Sequence, residues 1–280
     1  MPVIALTQGM GSLAQDIAEQ LARELGLATL QHEVADRVAD RMHVHKSLVS
    51  RLRAGKAKPL ERLTADRDSM ALFSAEEVLE TAARGNVVIR GWGATRLLHP
   101  VPHVPCIRIM RPFEKRVDWL LKQLDTDDVE MAEAEIRRSD HANATRMHDQ
   151  FGVEWGSPAL FDMVLNTDRL SVDTCVQQIR ALVERPEFTE TEASRALLGG
   201  LALEARIRSA LRAQEATRDV EVTIESVAPD GRIRLRGVVV NGAERDAAAG
   251  VAAGVAGVSG VDNELRVMGP SRRFPSAGGS

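Results

Sequence analysis

Val3-Ile4-Ala5-Leu6-Thr7-Gln8-Gly9-Met10-Gly11-Ser12-Leu13-Ala14-Gln15-Asp16-Ile17-Ala18 is the stretch that decides the fold. It predicts a short apolar strand, a glycine turn and a helix, with Leu13, Ile17 and Leu21 in helical spacing. In such a turn, free backbone N–H groups and the positive end of the helix dipole point at one place. The turn therefore indicates an anion-binding loop.

Six residues form this predicted phosphate loop: Gly9, Met10, Gly11, Ser12, Leu13 and Ala14. A complete P-loop would add a second glycine and a lysine followed by serine or threonine, and Leu13-Ala14-Gln15-Asp16 stands at that place instead. The alternative is that Gly11-Ser12 only caps the following helix. The loop thus predicts phosphate binding and leaves catalysis open.

The composition is that of an ordinary globular protein. The 280 residues are 44% hydrophobic and 27% charged, which suits one large or two modest domains. Aromatic residues make up 3% and tyrosine is absent, so Leu, Val, Ile, Ala and Met must build the core. The formal net charge of −4 argues against nonspecific nucleic-acid binding.

The cysteines and histidines predict no metal site. Cys106 and Cys175 lie in apolar stretches, so we expect buried, reduced thiols rather than a disulfide. The histidines include two close pairs, His43/His45 and His99/His103. Neither pair has a cluster of carboxylates or cysteines nearby, and we interpret them as solvated loop residues.

The sequence predicts a cytoplasmic protein. No segment approaches the roughly 20 apolar residues that a membrane-spanning helix requires. The apolar run at residues 3–6 has no basic stretch before it and is too short for a signal peptide.

Residues 1–185 alternate between strands and helices. We predict strands at 3–6, 87–89, 106–110 and 163–166, and helices at 14–25, 33–42, 74–83, 113–124, 129–147 and 172–184. The helix at residue 74 is expected because Ser74 and Glu77 form a capping-box pattern. Strands separated by helices predict a parallel sheet covered on both faces, which is a three-layer α/β fold.

The pattern changes after residue 185. We predict a polar linker at 186–200, and then a small α+β unit at 201–268. This unit would have helices at 201–214 and 243–255 and strands at 220–226, 232–239 and 261–268, with a hairpin turn at Pro229-Asp230-Gly231. Residues 269–280 are rich in Pro, Gly and Ser, and we expect a disordered tail.

Several blocks follow the opening stretch in order. They are Gly85-Asn86-Val87-Val88-Ile89-Arg90-Gly91-Trp92-Gly93-Ala94, Ile136-Arg137-Arg138-Ser139-Asp140, Gly152-Val153-Glu154-Trp155-Gly156-Ser157-Pro158 and Phe161-Asp162-Met163-Val164-Leu165-Asn166-Thr167. Together with residues 3–18, they resemble the cytidylate kinase-like family, a branch of the P-loop nucleoside monophosphate kinases. The resemblance spans residues 1–185. It implies a nucleoside triphosphate on the first loop, with Mg²⁺, and a nucleoside monophosphate opposite.

The chain departs from this family where charge is needed. Leu13-Ala14 replaces a glycine pair, so a phosphate would approach the backbone less easily. Gln15 and Trp92 stand where the resemblance leads us to expect arginine, and Ala142 and Asn143 take the place of lid arginines. Four features that would hold or neutralise phosphate are therefore altered together.

Some cations of the resemblance remain. Arg137 and Arg138 are the residues that it would place on the transferred phosphoryl group, and Arg146 is also within the predicted lid helix. The basic stretch at 43–68 would fall where the acceptor nucleotide binds, although such a stretch is more often a solvated face.

The C-terminal unit resembles the BON domain. The matching residues include Asp230-Gly231-Arg232-Ile233-Arg234-Leu235-Arg236-Gly237-Val238-Val239 and Gly257-Val258-Ser259-Gly260-Val261-Asp262-Asn263-Glu264-Leu265. We expect positive φ at Gly231, Gly257 and Gly260. Residues 204–268 contain nine arginines and ten acidic residues, a charge that does not favour an anionic membrane surface. A regulatory or oligomerising module is the better interpretation.

Two functional hypotheses follow. The first is a nucleotide-binding protein with a degenerate phosphate loop, a sensor or regulator that signals through its BON domain. The second is an active CMP or dCMP kinase that uses ATP and Mg²⁺. The missing P-loop lysine, Trp92 and Asn143 favour the sensor. The base preference, the ligand of the BON domain and homo-oligomerisation are left open by the sequence.

Overall fold

The computed structural model describes residues 2–30, 33–226 and 230–268. The chain divides into two compact units, the first ending at Ala205 and the second beginning at Arg206. The predicted tail at 269–280 lies outside the described residues, as do residues 227–229 of the predicted hairpin turn.

The first unit is an alternation of strands and helices. In chain order its elements are β1 (Val3–Gln8), α1 (Ala14–Leu25), β2 (Ala28–Leu30), α2 (Glu33–Met42), α3 (Lys46–Arg53), α4 (Pro59–Thr64), α5 (Arg67–Arg84), β3 (Val87–Arg90), α6 (Ala94–Leu97), β4 (Cys106–Met110), α7 (Phe113–Leu124), α8 (Val129–Phe151), β5 (Met163–Asn166), α9 (Val172–Val183) and α10 (Glu192–Ala213), which extends into the second unit.

The five strands of the first unit form one parallel sheet in the order β2-β3-β1-β4-β5. The central strand β1 has Ala5 opposite Ile89 of β3 on one side and opposite Cys106 of β4 on the other. The connection from β1 runs to β2 on one side, whereas the connection from its neighbour β4 runs to β5 on the other side, so the carboxyl ends of β1 and β4 flank a topological switch point, where α/β proteins bind ligands. The predicted three-layer α/β class is confirmed.

Both faces of the sheet are buried, which explains why β1 lacks polar alternation. Val3 and Ala5 belong to an apolar cluster with residues of α2 and α5, whereas Ile4 and Leu6 belong to a second cluster with residues of α1 and α9. Each of the four side chains is at most 1% exposed. A strand that is covered on both sides is apolar at every position.

Helix α5 begins earlier than predicted. Asp66 caps it by accepting a hydrogen bond from the Ser69 backbone N–H, so the helix starts at Arg67 instead of near Ser74. The Ser74 hydroxyl lies inside the helix and donates to the Met70 carbonyl. Glu77, which completes the capping-box pattern in the sequence, forms an ion pair with Arg37 instead.

Helix α10 also begins earlier, at Glu192 instead of residue 201. Thr191 and Ser194 form reciprocal hydrogen bonds between side chain and backbone N–H, which is the geometry of a helix start. Leu198 and Ala202 on this helix are buried in the core of the first unit. The predicted linker at 186–200 therefore becomes helical from Glu192 and contributes to that core.

The second unit is a small mixed sheet with a helix. Its remaining elements are β6 (Thr223–Ser226), β7 (Arg232–Val239), α11 (Gly242–Ala253) and β8 (Gly260–Val267). Strand β6 is antiparallel to β7, and β8 is parallel to it. Gly231 has φ +91°, and a Cβ there would lie 2.0 Å from the Gly257 carbonyl oxygen, so only glycine fits. Gly257 also has positive φ, whereas Gly260, for which we expected it, does not.

The small α+β unit that the sequence predicts is therefore present in the second unit. No helix in the described part of the chain is both long and apolar enough to cross a membrane.

Candidate phosphate-binding site

The phosphate loop keeps the backbone shape of a glycine-rich turn. Gly11 has φ +78° and Leu13 has φ +61°, both in the left-handed region. The Ser12 backbone N–H donates to the Gly9 carbonyl at 3.3 Å, and the first helical bond of α1 runs from Ile17 to Leu13. A left-handed conformation is costly for leucine and free for glycine. Leu13 therefore adopts a backbone conformation that glycine would adopt without cost.

Ser12 is a buried residue of the loop whose hydroxyl is unpaired. It is 1% exposed, and among the described residues its Oγ has no hydrogen-bond partner. The Ser12 carbonyl is fixed because it accepts from the Thr167 hydroxyl at 3.0 Å. An unpaired buried hydroxyl costs free energy, so this group is available to a ligand.

Helix α7 covers the loop. A Cβ placed on Gly9 would lie 2.8 Å from Arg116 Nη1, and one on Gly11 would lie 3.1 Å from Trp119 Cε3. Met10 packs against the apolar cluster that joins α7 to α8. Gly11 is required here, because it has positive φ and a Cβ would also lie 3.2 Å from the Arg116 Cα, whereas the nearest atom at Gly9 is the end of the flexible Arg116 side chain.

The cation closest to the loop is already paired. Arg116 forms a two-pronged ion pair with Asp140 of α8, with distances of 2.9 Å (Nη1–Oδ1) and 2.7 Å (Nη2–Oδ2). The Arg116 side chain is only 11% exposed and that of Asp140 is 29% exposed. Arg116 Nη1 also lies 3.5 Å from the Met10 carbonyl oxygen. The pair therefore holds α7, α8 and the loop together.

Both predicted catalytic arginines contact carboxylates on their own helix. Arg137 pairs with Glu133 at 3.2 Å, and its guanidinium lies 4.3 Å from the centre of the Phe113 ring. Arg138 pairs with Glu135. The role that we predicted for these two residues stays a prediction.

Three arginines gather near the carboxyl end of β3, and we call them the arginine cluster: Arg53, Arg90 and Arg146. The Arg53 guanidinium stacks on the Trp92 ring at 3.3 Å from its centre. Arg146 donates to the Arg53 carbonyl at 2.5 Å. Arg90 lies 3.5 Å from the Gln15 side-chain oxygen of α1, which connects the cluster to the helix behind the phosphate loop.

The positive charge of the arginine cluster is only partly compensated by its surroundings. Burial lowers the pKa of Arg53 well below its usual value, and the like charges of Arg146 and Arg90 lower it further. Burial also lowers the pKa of Arg146 and of Arg90, although the charges of Glu19 and Asp16 on α1 oppose the shift of Arg90. Within the described ranges, none of these three side chains forms an ion pair with a carboxylate. A bound anion would remove this penalty, because an opposite charge favours the charged form of each guanidinium.

The cysteines fit the prediction and one histidine does not. Cys106 and Cys175 are free and buried, and burial raises the pKa of Cys106 to about 12. His103 is 5% exposed and its Nδ1 lies 2.7 Å from the Ser194 hydroxyl oxygen, so it is a buried hydrogen-bonded residue instead of a solvated one. No group of three metal-ligating side chains occurs among the residues that the structure describes.

Sequence reasoning missed the residues with the most informative surroundings. Arg53 belonged to a basic stretch that had no feature to single it out. Arg90 lies two residues before Trp92, in a block to which the family resemblance contributes no role for this arginine. Arg116 lies on an ordinary amphipathic helix, and only the fold brings it to Gly9.

Known proteins resemble this chain in sequence. The cytidylate kinase of Pyrobaculum aerophilum is 28% identical over 183 residues, covering 63% of this chain and 90% of that protein. The cytidylate kinase of Ignicoccus hospitalis is 28% identical over 188 residues, covering 65% of this chain and 99% of that protein.

A solved structure resembles this chain in fold, and two parts of the chain match known families. An uncharacterized protein from Eubacterium ventriosum has a TM-score of 0.51 and 16% identity, covering 66% of this chain and all of that one, a likeness of fold alone. Residues 201–269 match the BON domain. Residues 3–169, more than half of the chain, match the cytidylate kinase-like family model, and the protein therefore belongs to the cytidylate kinase-like family.

Proposed function

We propose that this protein binds a nucleotide at the carboxyl edge of its parallel sheet and acts mainly as a sensor or regulator, with slow or absent phosphoryl transfer. The phosphate loop would hold phosphate through backbone N–H groups, and the arginine cluster would hold a second anionic group. The observation that carries the proposal is the gathering of Arg53, Arg90 and Arg146 with no carboxylate in ion-pair contact among the residues that the structure describes.

The chemistry of the arginine cluster favours phosphate as its ligand. A guanidinium presents several N–H donors in a plane, which matches the oxygens of a phosphate group. The lowered pKa of Arg53, caused first by burial, means that the ligand-free protein holds this charge at a cost. A dianionic phosphate is the natural compensating group for three neighbouring guanidinium ions.

Slow turnover is expected because three arginines of α7 and α8 are engaged with carboxylates. Phosphoryl transfer depends on positioning and on neutralising charge in the transition state. Arg116, Arg137 and Arg138 are each paired with an acidic side chain, and Gln15 and Trp92 stand where the family resemblance suggests arginine. Loss of one such cation costs about 10³-fold in rate. ATP with Mg²⁺ remains compatible with the loop, whose N–H groups would contact its phosphates.

The alternative is an active CMP or dCMP kinase. Two similar proteins are named cytidylate kinase, and this observation favours the alternative. A protein that phosphorylates CMP or dCMP at about 1 per second or faster, the low end of ordinary enzymes, would establish the kinase and refute the sensor.

The decisive experiment combines binding and turnover. We would titrate the full chain with ATP, CMP and dCMP by isothermal calorimetry and assay phosphoryl transfer on the same preparation. Micromolar or weaker binding with undetectable transfer is expected. Absence of binding by all three nucleotides would contradict the proposal.

The second unit would communicate the bound state. We propose a regulatory or oligomerising role for the BON domain in a cytoplasmic protein. Light scattering of the full chain with and without nucleotide tests this part, and a nucleotide-dependent change in molar mass is the expected result. An unchanged mass together with unchanged hydrogen exchange at residues 206–268 would contradict it.

A further inference from the structure

The Arg116–Asp140 pair of the α7–α8 hairpin lies directly against Gly9 of the phosphate loop. A single Cβ there would come within 2.8 Å of Arg116 Nη1 and 3.4 Å of Asp140 Oδ1. Arg116 Nη1 is the end of a flexible side chain and a hydrogen-bond donor, so a phosphate oxygen arriving here would meet the guanidinium as a partner and the Asp140 carboxylate as a like charge. An anion at the loop therefore favours a rearrangement of the pair.

We propose that the Arg116–Asp140 ion pair is a latch that holds the hairpin over the phosphate loop, and that an entering phosphate competes with Asp140 for Arg116. This inference rests on the proposed nucleotide-binding function and describes its regulation. The ligand-free protein is closed, and the ligand gains by taking over the guanidinium. A ligand can shift two states only by its different affinity for each, and the released Arg116 supplies that difference.

Three separate contacts connect the hairpin to the loop. Arg116 approaches the Met10 carbonyl at 3.5 Å, Met10 packs into the α7–α8 apolar cluster, and a Cβ on Gly11 would lie 3.1 Å from Trp119. The apolar contacts make the closed state compact. They carry no charge, so the ion pair is the element that an anion can break.

Asp140 also acts on a second guanidinium. Burial lowers the pKa of Arg108 on β4, while Asp140 opposes this shift and Arg116 adds to it. Arg108 otherwise contacts the Trp155 carbonyl, to which it donates at 2.8 Å, and the Trp155 ring. Removal of the Asp140 charge would leave two neighbouring guanidinium ions uncompensated beside the loop, which raises the local affinity for an anion.

Opposite effects of two substitutions test the latch. Asp140→Asn removes the competing carboxylate and should tighten the binding of ATP and of inorganic tripolyphosphate by about tenfold, within the usual range of coupling between sites. Arg116→Gln also breaks the pair but removes the cation, and it should weaken binding of both probes. A merely structural role for the pair would move both affinities in the same direction. Asp149→Asn, an exposed change on the same helix, is the matched control and should leave both affinities unchanged.

A ligand-free measurement separates this inference from the proposed function. Hydrogen exchange of the amides at residues 9–13 should be faster in Asp140→Asn and in Arg116→Gln than in the unmodified protein or in Asp149→Asn. Faster exchange without binding of either probe would refute the competition with phosphate and, with the nucleotide titrations also negative, the proposed function. Unchanged exchange in Arg116→Gln, or weaker binding in a folded Asp140→Asn, would overturn the latch whether or not nucleotide binds. If Asp140→Asn fails to fold, Arg116→Gln alone decides through its exchange.

Discussion

Two regions at the carboxyl edge of the same sheet use arginine in opposite ways. Beside the phosphate loop, Arg116 is paired with Asp140, and Arg137 on the helix that carries Asp140 is paired with Glu133. Beside β3, the arginine cluster has ring, carbonyl and amide partners but no carboxylate partner among the described residues. The same side chain is therefore neutralised in one region and left charged in the other.

The difference indicates where an anion binds first. A paired guanidinium must give up its carboxylate before it can hold phosphate, whereas an unpaired and partly buried one gains from the first anion that arrives. Burial lowers the pKa of Arg53, and the protein retains this unfavourable arrangement. Retained unfavourable charge of this kind is typical of binding sites.

The largest effect is expected from the arginine cluster. Arg53→Met keeps an apolar chain against the Trp92 ring and removes the charge, so nucleotide affinity should fall by about 10- to 100-fold, because a hydrogen bond to a charged group contributes about 1.5–3 kcal/mol. The free energy of unfolding should stay within about 1 kcal/mol, because the lost stacking is offset by relief of the buried charge. Calorimetry and urea denaturation measure the two quantities.

Arg51→Met is the matched control for this change. Arg51 lies on the same helix, two residues earlier, and forms an ion pair with Glu61 at 2.5 Å. It should leave nucleotide affinity unchanged. Equal losses in both variants would show that the positive charge of α3 as a whole matters, and the distinction between paired and unpaired arginines would fail.

The sequence predicted the fold better than the site, for a physical reason. The parallel sheet follows from local signals, such as the apolar run at residues 3–6 and the glycine turn after it. The ion pair between Arg116 and Asp140 joins residues on two different helices, so no local sequence pattern predicts it. The early start of α10 is not evident from the sequence, because Thr191 and Ser194 are typical of a polar linker. Only the structure shows that Leu198, on the same helix, is buried in the core.

A smaller effect on the loop side tests whether backbone shape or charge limits binding there. Leu13→Gly places glycine at φ +61° and removes the leucine side chain. We expect ATP affinity to rise about three- to tenfold, because phosphate contacts the loop through its backbone and glycine permits a closer approach. Calorimetric titration measures the change. Unchanged affinity in the folded variant would mean that charge pairing alone limits the loop.

The smallest effect is expected at Arg137. It tests directly whether a paired arginine contributes less to binding than the arginines of the cluster. This side chain is 66% exposed and pairs with Glu133 one helical turn away. Surface pairs of this kind contribute about 0.3–0.5 kcal/mol, so Arg137→Met should change the free energy of unfolding by less than about 0.5 kcal/mol and the affinity for nucleotide by less than about threefold. Titration beside Arg53→Met gives the contrast directly. A loss of affinity as large as that of Arg53→Met would show that a paired arginine is as available to phosphate as an unpaired one. A loss of CMP phosphorylation in Arg137→Met would instead assign it the catalytic role of the kinase alternative.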